Sequence, residues 1–511
     1  MRLWYTDACM NESSSRTRAR SGAARAAICI IAVGALCAGP TFAASLDVDL
    51  SFVASGFAGL PPDTMGAAGP AHVVTFTNGG VEIFRKSDGQ SISHEFLGMF
   101  WFAAGVSNLS DTFDPRVVYD PGSGRFFAVS LEGRFTSNQI LVAVSSSADP
   151  TQPWTGFALD SDSTDVAWAD FPTIGVDADT VTIAADMHAV GEDALPIAVD
   201  VLVIPKADLL TAQPTLAGAT LFERRPLATT GFAPQPVTRL DGAGLPNWLF
   251  SSGVAFVGVI QTAAIAGTPT SPTVAAGPFL MVDPMPTPPE AVQPSSTALD
   301  TGDGHFASLV GVGDSIWGVH GATGASGRAA IRWYEFDASS AAVLQSGVID
   351  DPNRDFLYPS IAANALGQVV IGFSASSASP LPSAYAALGE TMDGVTTFQE
   401  PILVRAGAGI VSGGSVQRFG DYSATVVDPA DASRFWTFQE VGGATGNGTV
   451  AVASLRVVPE PEAAQSLLIC GLVLRALAAG RSGHCDRTTR RRTLRRLAWR
   501  RETPTRETRR A

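Results

Sequence analysis

The chain has 511 residues, 46% hydrophobic and only 16% charged, with 51 Gly and 33 Pro. Few charges and many turn formers exclude a bundle of long solvated helices and favour short strands joined by loops, in one large domain or two or three ordinary ones. The net charge of −14 is uneven: 16 basic and 41 acidic residues fall between Ser45 and Val458, while 13 Arg crowd the stretch from Arg475 onward. So acidic a body repels nucleic acid and excludes it as a partner.

In chain order, Arg16, Arg18, Arg20 and Arg25 precede the apolar run AAICIIAVGALCAG, followed by Thr41-Phe42-Ala43 and Ala44. A basic region, a short apolar segment and a small-residue site form the pattern of a secretory signal over 1–43. The expected location is outside the cytoplasm: envelope, cell surface or medium. Cys9, Cys29, Cys37, Cys470 and Cys485 all lie outside 45–458, so the body has no disulfide, thiol nucleophile or cysteine metal site.

From 44 to 458 a strand, a turn and a second strand recur. Clear copies are PRVVYDPGSGRFFAVS from Pro115, PTIGVDADTVTIAAD from Pro172, PSIAANALGQVVIGFS from Pro359 and SATVVDPADASRFWTFQE from Ser423. A weaker copy starts at Pro236, and less regular ones at Ala71 and Ala307. Asp120, Asp177, Asp241, Asn364 and Asp428 stand five residues into their copies, where Asp or Asn makes a hairpin turn. Spacings of 44 to 71 residues leave room for four antiparallel strands per unit, the size of a propeller blade. The reading is an all-β fold, a β-propeller of seven blades with six as the alternative, and a β-sandwich array as the structural rival. The strand LDVDLSFVAS near Leu46 is placed to complete the last blade, which removes an exposed sheet edge.

The repeat register sets Asp170 and Asp421 just before an aromatic residue that opens a first strand, with His305 before Phe306 in the corresponding place. First strands line a propeller's axis, so these three are expected to converge on one mouth as the binding surface. There they would bind a cation, act as acid and base, or lock adjacent blades through backbone N–H groups. Asp160, Asp162 and Asp165 alternate as oxygen ligands for Ca²⁺ do, without the Gly and Glu of an EF-hand loop; a solvated acidic loop is the other account. For a sialidase, Arg116, Arg239, Arg332, Arg405 and Arg418 are available with Tyr119, Tyr334 and Tyr422, but no spacing selects three arginines and no Asp-box occurs. No G-x-S-x-G elbow, H-E-x-x-H or P-loop is present, so no catalytic activity is defined.

The C-terminus runs Pro459-Glu460-Pro461, then AAQSLLICGLVLRALAAG (a transmembrane helix at about 463–480), then an arginine tail. Prolines end the preceding strand, the apolar segment halts in the bilayer, and arginines stay cytoplasmic. The segment 459–511 resembles the PEP-CTERM sorting signal, with an ordinary membrane anchor as the alternative. The resemblance implies an exosortase-like processing enzyme as partner, membrane attachment through this helix before processing, and delivery toward exopolysaccharide or matrix. Stretches such as ADFPTIGVDAD and FGDYSATVVDPAD are also similar to a loose group of secreted bacterial propeller proteins, which implies fold and export but no reaction. The expected function is an exported surface or matrix binding and scaffolding protein. The alternatives are a glycosidase- or sialidase-like hydrolase on the same fold, and a calcium-stabilised structural protein.

Overall fold

Capped turns set the repeat. Asp120 accepts hydrogen bonds from the N–H groups of Gly122 (2.9 Å) and Ser123 (3.2 Å). Asp177 accepts from Asp179 (2.8 Å) and Thr180 (2.7 Å), and Asn364 from Leu366 and Gln368, both at 3.0 Å. Asp241 and Asp428 cap Ala243 and Ala430 in the same way. A short acceptor side chain thus satisfies the N–H groups of a tight turn and fixes where each first strand reverses.

A computed structural model of the chain describes residues 44–460, apart from 55–57, 193–194, 253–257, 285 and 414–415. Among the described residues the strands form seven mainly antiparallel sheets, the blades of a β-propeller, and one two-stranded parallel pair, Ala298–Leu299 with Val416–Gln417. Their innermost strands are Met65–Ala68, Thr112–Asp120, Ala167–Val176, Gln235–Pro236, Ser308–Val312, Asp355–Ala363 and Ala424–Asp428, in blades 1 to 7. Blade 7 continues through Asp431–Gly442 and Gly448–Pro459, and its outermost strand is Ala44–Val53, from the opposite end of the chain. Pairing first strand with last closes the ring and leaves no open end.

Two repeats differ from the sequence reading. The copy at Ala71 holds the second and third strands of blade 1, His72–Thr77 and Gly80–Arg85. The inner strand of that blade, Met65–Ala68, is four residues of MGAA, too short and poor in β-branched residues to stand out. In blade 4 only Gln235–Pro236 stays in place. Thr238–Arg239 peels away and pairs in parallel with Ser308–Val312 of blade 5.

Most blade strands are buried on both faces between neighbouring sheets, so they read as continuous apolar runs rather than alternating ones. Phe127 and Val129 of blade 2 pack with Ile174 and Ile183 of blade 3, and Trp317 and Trp333 of blade 5 with Ile361 and Phe373 of blade 6. Trp101, Trp168 and Trp436 are fully buried, so these indoles serve the core rather than a sugar-stacking surface. Buried ion pairs add ties between blades: Lys206 Nζ to Asp120 (3.0 Å) and Lys86 Nζ to Asp428 (2.7 Å).

The 1–43 signal segment and the 463–480 helix, with Pro461 of the sorting triplet, lie outside the described residues. Pro459 ends the last strand and Glu460 follows it. Among the described residues, no helix is long and apolar enough to cross a membrane.

Candidate functional site

The entry to the inner strands is a recurrent backbone kink. Asp63, Asp114, Phe171, Ala233 and Tyr358 have φ of 51°, 53°, 48°, 44° and 46°. The last four of these each precede a proline: Pro115, Pro172, Pro234 and Pro359. A non-glycine residue in this region is strained by about 1–3 kcal/mol, and proline next in line does not relieve it. Bulges fall at the same level, between Phe113 and Arg116, Asp170 and Thr173, and Leu357 and Ser360. The kinks bring side chains from several blades together at the strand-start end of the axis.

Asp170, His305 and Asp421 all belong to this cluster. The Phe171 ring, next to Asp170, lies 4.2 Å from the His305 ring and 5.8 Å from that of Tyr422, the neighbour of Asp421. Burial and the nearby Asp114 push the Asp170 carboxyl up to about 8. Across the strand pair stands Asp186, which burial raises to about 7 although it accepts the Ala233 N–H at 2.8 Å. Burial lifts Asp421 to about 6, opposed by Arg418, which donates to its carboxylate. Burial works against a charged His305, but Asp303, bonded to its Nδ1, wins and holds it above the ordinary histidine value. These groups therefore bond backbone and one another while holding protons that exposed carboxylates would release.

Sequence reasoning missed most of the ring around them. Asp63 and Asp114 are buried, and burial together with Asp421 raises Asp63 well above its usual range. Glu440 is buried with neither oxygen hydrogen-bonded, and burial holds its carboxyl far above normal. The dipeptides Asp114-Pro115, Phe171-Pro172, Ala233-Pro234 and Tyr358-Pro359 were the available signal.

Of the arginines considered for a sialidase, Arg116 and Arg418 reach this end of the axis, where both act on the Asp421 region. The others lie apart: Arg239 Nη2 bonds the Gly313 carbonyl, Arg332 bonds Ser346, and Arg405 bonds the Ser51 carbonyl. Tyr119 packs on Phe126 and Tyr334 on Phe336, within the blades.

Asp160, Asp162 and Asp165 sit between blades 2 and 3. Asp160 accepts the N–H of Asp162 (3.1 Å), and Asp165 the Ser137 hydroxyl (2.5 Å). Asp162 is fully buried and accepts from Val166 N–H (2.9 Å), Ala167 N–H (2.8 Å) and the Thr164 hydroxyl (2.9 Å). Among the described residues, no group of three or more His, Cys, Asp or Glu is placed to hold a metal ion.

Behind the strand-start cluster runs an axial channel of about 340 Å³, lined by the inner strands of all seven blades. Its lining reaches from Met65, Arg116 and Gln235 at the kinked end to Pro121, Asn364 and Pro429 at the turns. Half of the lining residues are Ala, Val or Leu. Phe171, Tyr358 and Tyr422 do not line it; the Phe171 and Tyr422 rings lie 5.0 and 3.3 Å from the guanidinium carbon of Arg116, which does. A separate hollow of about 40 Å³ lies between blades 4 and 5, beside His320, whose pKa burial lowers to about 4.

No protein-family profile matches the chain, and none of the curated proteins does. Among solved structures, a protein of unknown function from Dyadobacter fermentans aligns over 81% of this chain and 99% of its own, at 11% identity and a TM-score of 0.34. A hypothetical selenium-binding protein from Sulfolobus tokodaii covers 66% of this chain and 76% of its own (9% identity, TM-score 0.41). The Trypanosoma rangeli sialidase covers 71% and 56% (10% identity, TM-score 0.36). Likenesses this loose carry no chemistry to this chain.

Proposed function

We propose that this propeller is an exported envelope or surface protein that binds a small ligand in its axial channel. The channel's volume of about 340 Å³ carries the reading: it falls within the usual range of ligand sites, about 300–1,000 Å³. Apolar walls with a few polar groups at the ends match how such sites combine affinity with orientation. This moves the expected binding surface from the mouth at Asp170, His305 and Asp421 to the cavity behind it. Export rests on the 1–43 pattern. The Pro459-Glu460-Pro461 pattern and the arginine tail support an exosortase-like partner, and exopolysaccharide or matrix remains the proposed setting.

Cell fractionation with mass spectrometry of the mature N-terminus tests export. A chain beginning at Ala44 outside the cytosol is expected, and an intact cytosolic chain would sink it. Native mass spectrometry of the protein purified from its own cells tests the cavity. A bound small molecule is expected, lost in Ala307→Trp, which puts bulk into the channel lining. An identical adduct on both proteins counts against the channel.

A second reading has its own observation. Asp170 holds its proton to about 8 while Asp421 titrates near 6, and two carboxyls pushed apart suit the acid and base of a hydrolase. Turnover of polysaccharides or sialosides that disappears in Asp170→Asn and Asp421→Asn would establish it; no turnover on either class removes it.

A further inference from the structure

We propose that the ligand of the axial channel is an amphiphilic carboxylate, its head on Arg116 and its apolar tail running toward the turn-side mouth. The proposal deepens the channel-binding reading and rests on it. Arg116 lies on the first strand of blade 2, is 1% exposed, and lines the floor of the cavity. Its guanidinium reaches groups of two other blades. Nε donates to the Pro172 carbonyl of blade 3 (2.8 Å), while the carbon is 3.3 Å from the Tyr422 ring centroid of blade 7. The rest of the fork is idle: Nη1 meets only the Met65 sulfur (3.9 Å), and Nη2 has no partner.

A buried cationic donor without an acceptor is costly, and the group that best satisfies a guanidinium fork is a carboxylate. Asp114, Asp63 and Asp421 act on Arg116 electrostatically, yet none of them hydrogen-bonds Nη1 or Nη2. Gln235, also of the lining, has a buried and unpartnered Oε1, which a protonated or hydroxylated head would satisfy. Beyond the floor the lining turns apolar, with Val117, Leu309, Val310 and Val426. From Arg116 to Pro121 five strand steps span about 17 Å, room for an extended aliphatic tail.

Calorimetric titration of the mature protein with decanoate and with decanol tests the idea. Decanoate is expected to bind at least about tenfold tighter than decanol. Arg116→Gln should bring decanoate down to the level of decanol and leave decanol unchanged. Ala365→Trp, at the exposed channel rim, should weaken both. Equal binding of the two probes overturns carboxylate recognition and leaves the channel as a binding site. No binding of either probe, or binding that Ala365→Trp does not touch, overturns the channel reading as well. If Arg116→Gln does not fold, Arg116→Lys keeps the charge and removes the fork. Unweakened decanoate binding there, or parity between probes in the parent protein, rejects the proposal.

Discussion

Arg116 and Tyr422 stack at the strand-start end of the channel, guanidinium carbon to ring centroid at 3.3 Å, and the Tyr422 hydroxyl donates to the Pro115 carbonyl at 3.3 Å. The contact joins blades 2 and 7, which are far apart in sequence. A desolvated cation–π contact contributes about 2 kcal/mol and a neutral hydrogen bond about 1. Tyr422→Phe should therefore cost about 1 kcal/mol and Tyr422→Leu about 3, read from urea unfolding. Equal losses for the two variants would show that the ring's π face contributes nothing.

The proton-holding carboxyls make stability depend on pH. Asp170 at about 8, and Asp186 and Asp200 at about 7, are raised above the ordinary carboxyl value that the unfolded chain restores. From about pH 4, where the unfolded chain releases these protons, up to about pH 8 the folded state thus binds more protons than the unfolded one, and stability falls as pH rises. The melting temperature should drop across that window. Asp170→Asn should flatten the drop and raise Tm at about pH 8 by about 2–4 °C, with a smaller gain at about pH 5 and none below the ordinary carboxyl value. A Tm that climbs with pH across the window contradicts the assignment.

Lys206 and Asp120 form a buried ion pair between blades 3 and 2, their side chains 8% and 4% exposed. Removing the ammonium leaves Asp120 charged and buried, so Lys206→Met should cost about 3–5 kcal/mol. The exposed pair Arg85–Asp88 (2.7 Å) is the control, and Arg85→Met should cost no more than about 1 kcal/mol. Similar losses at both sites would mean that burial of the Lys206 pair is not what matters.

Ring closure depends on Ala44–Val53 lying against Gly448–Pro459. Asp49 bonds Arg434 (2.8 Å) and Arg456 (2.9 Å), and Leu46 is buried in the blade 7 core. Leu46→Ala should cost about 2–5 kcal/mol. Deleting 44–53 should expose a strand edge and shift the protein to higher oligomers on gel filtration. A monomeric, unshifted deletion variant would show that the last strand does not hold the ring.

Calcium is not expected to hold the 160–165 turn, because the Asp162 oxygens are already taken by Thr164, Val166 and Ala167. Chelation with EDTA should leave Tm unchanged; a fall reversed by Ca²⁺ would restore the metal reading.

Local chemistry is legible in the sequence alone. Asp120, Asp177, Asn364 and Asp428 cap turns with atoms only two to four residues away, so their effect is written in short stretches of sequence. The repeat of those turns led to seven blades, and the register of Asp170, His305 and Asp421 led to one end of the axis. Other features depend on groups distant along the chain. The short strand Met65–Ala68 pairs only because blade 1 is already assembled, and Thr238–Arg239 leaves its own blade for Ser308–Val312. Whether Asp170 keeps its proton is a matter of burial and of Asp114, which no local pattern reports. Nor does any window of sequence disclose that Arg116 is held with an idle fork, because that needs Pro172 and Tyr422 from two other blades. Turns follow from neighbours along the chain; the channel and its charge follow from desolvation and convergence, which exist only once the ring has closed.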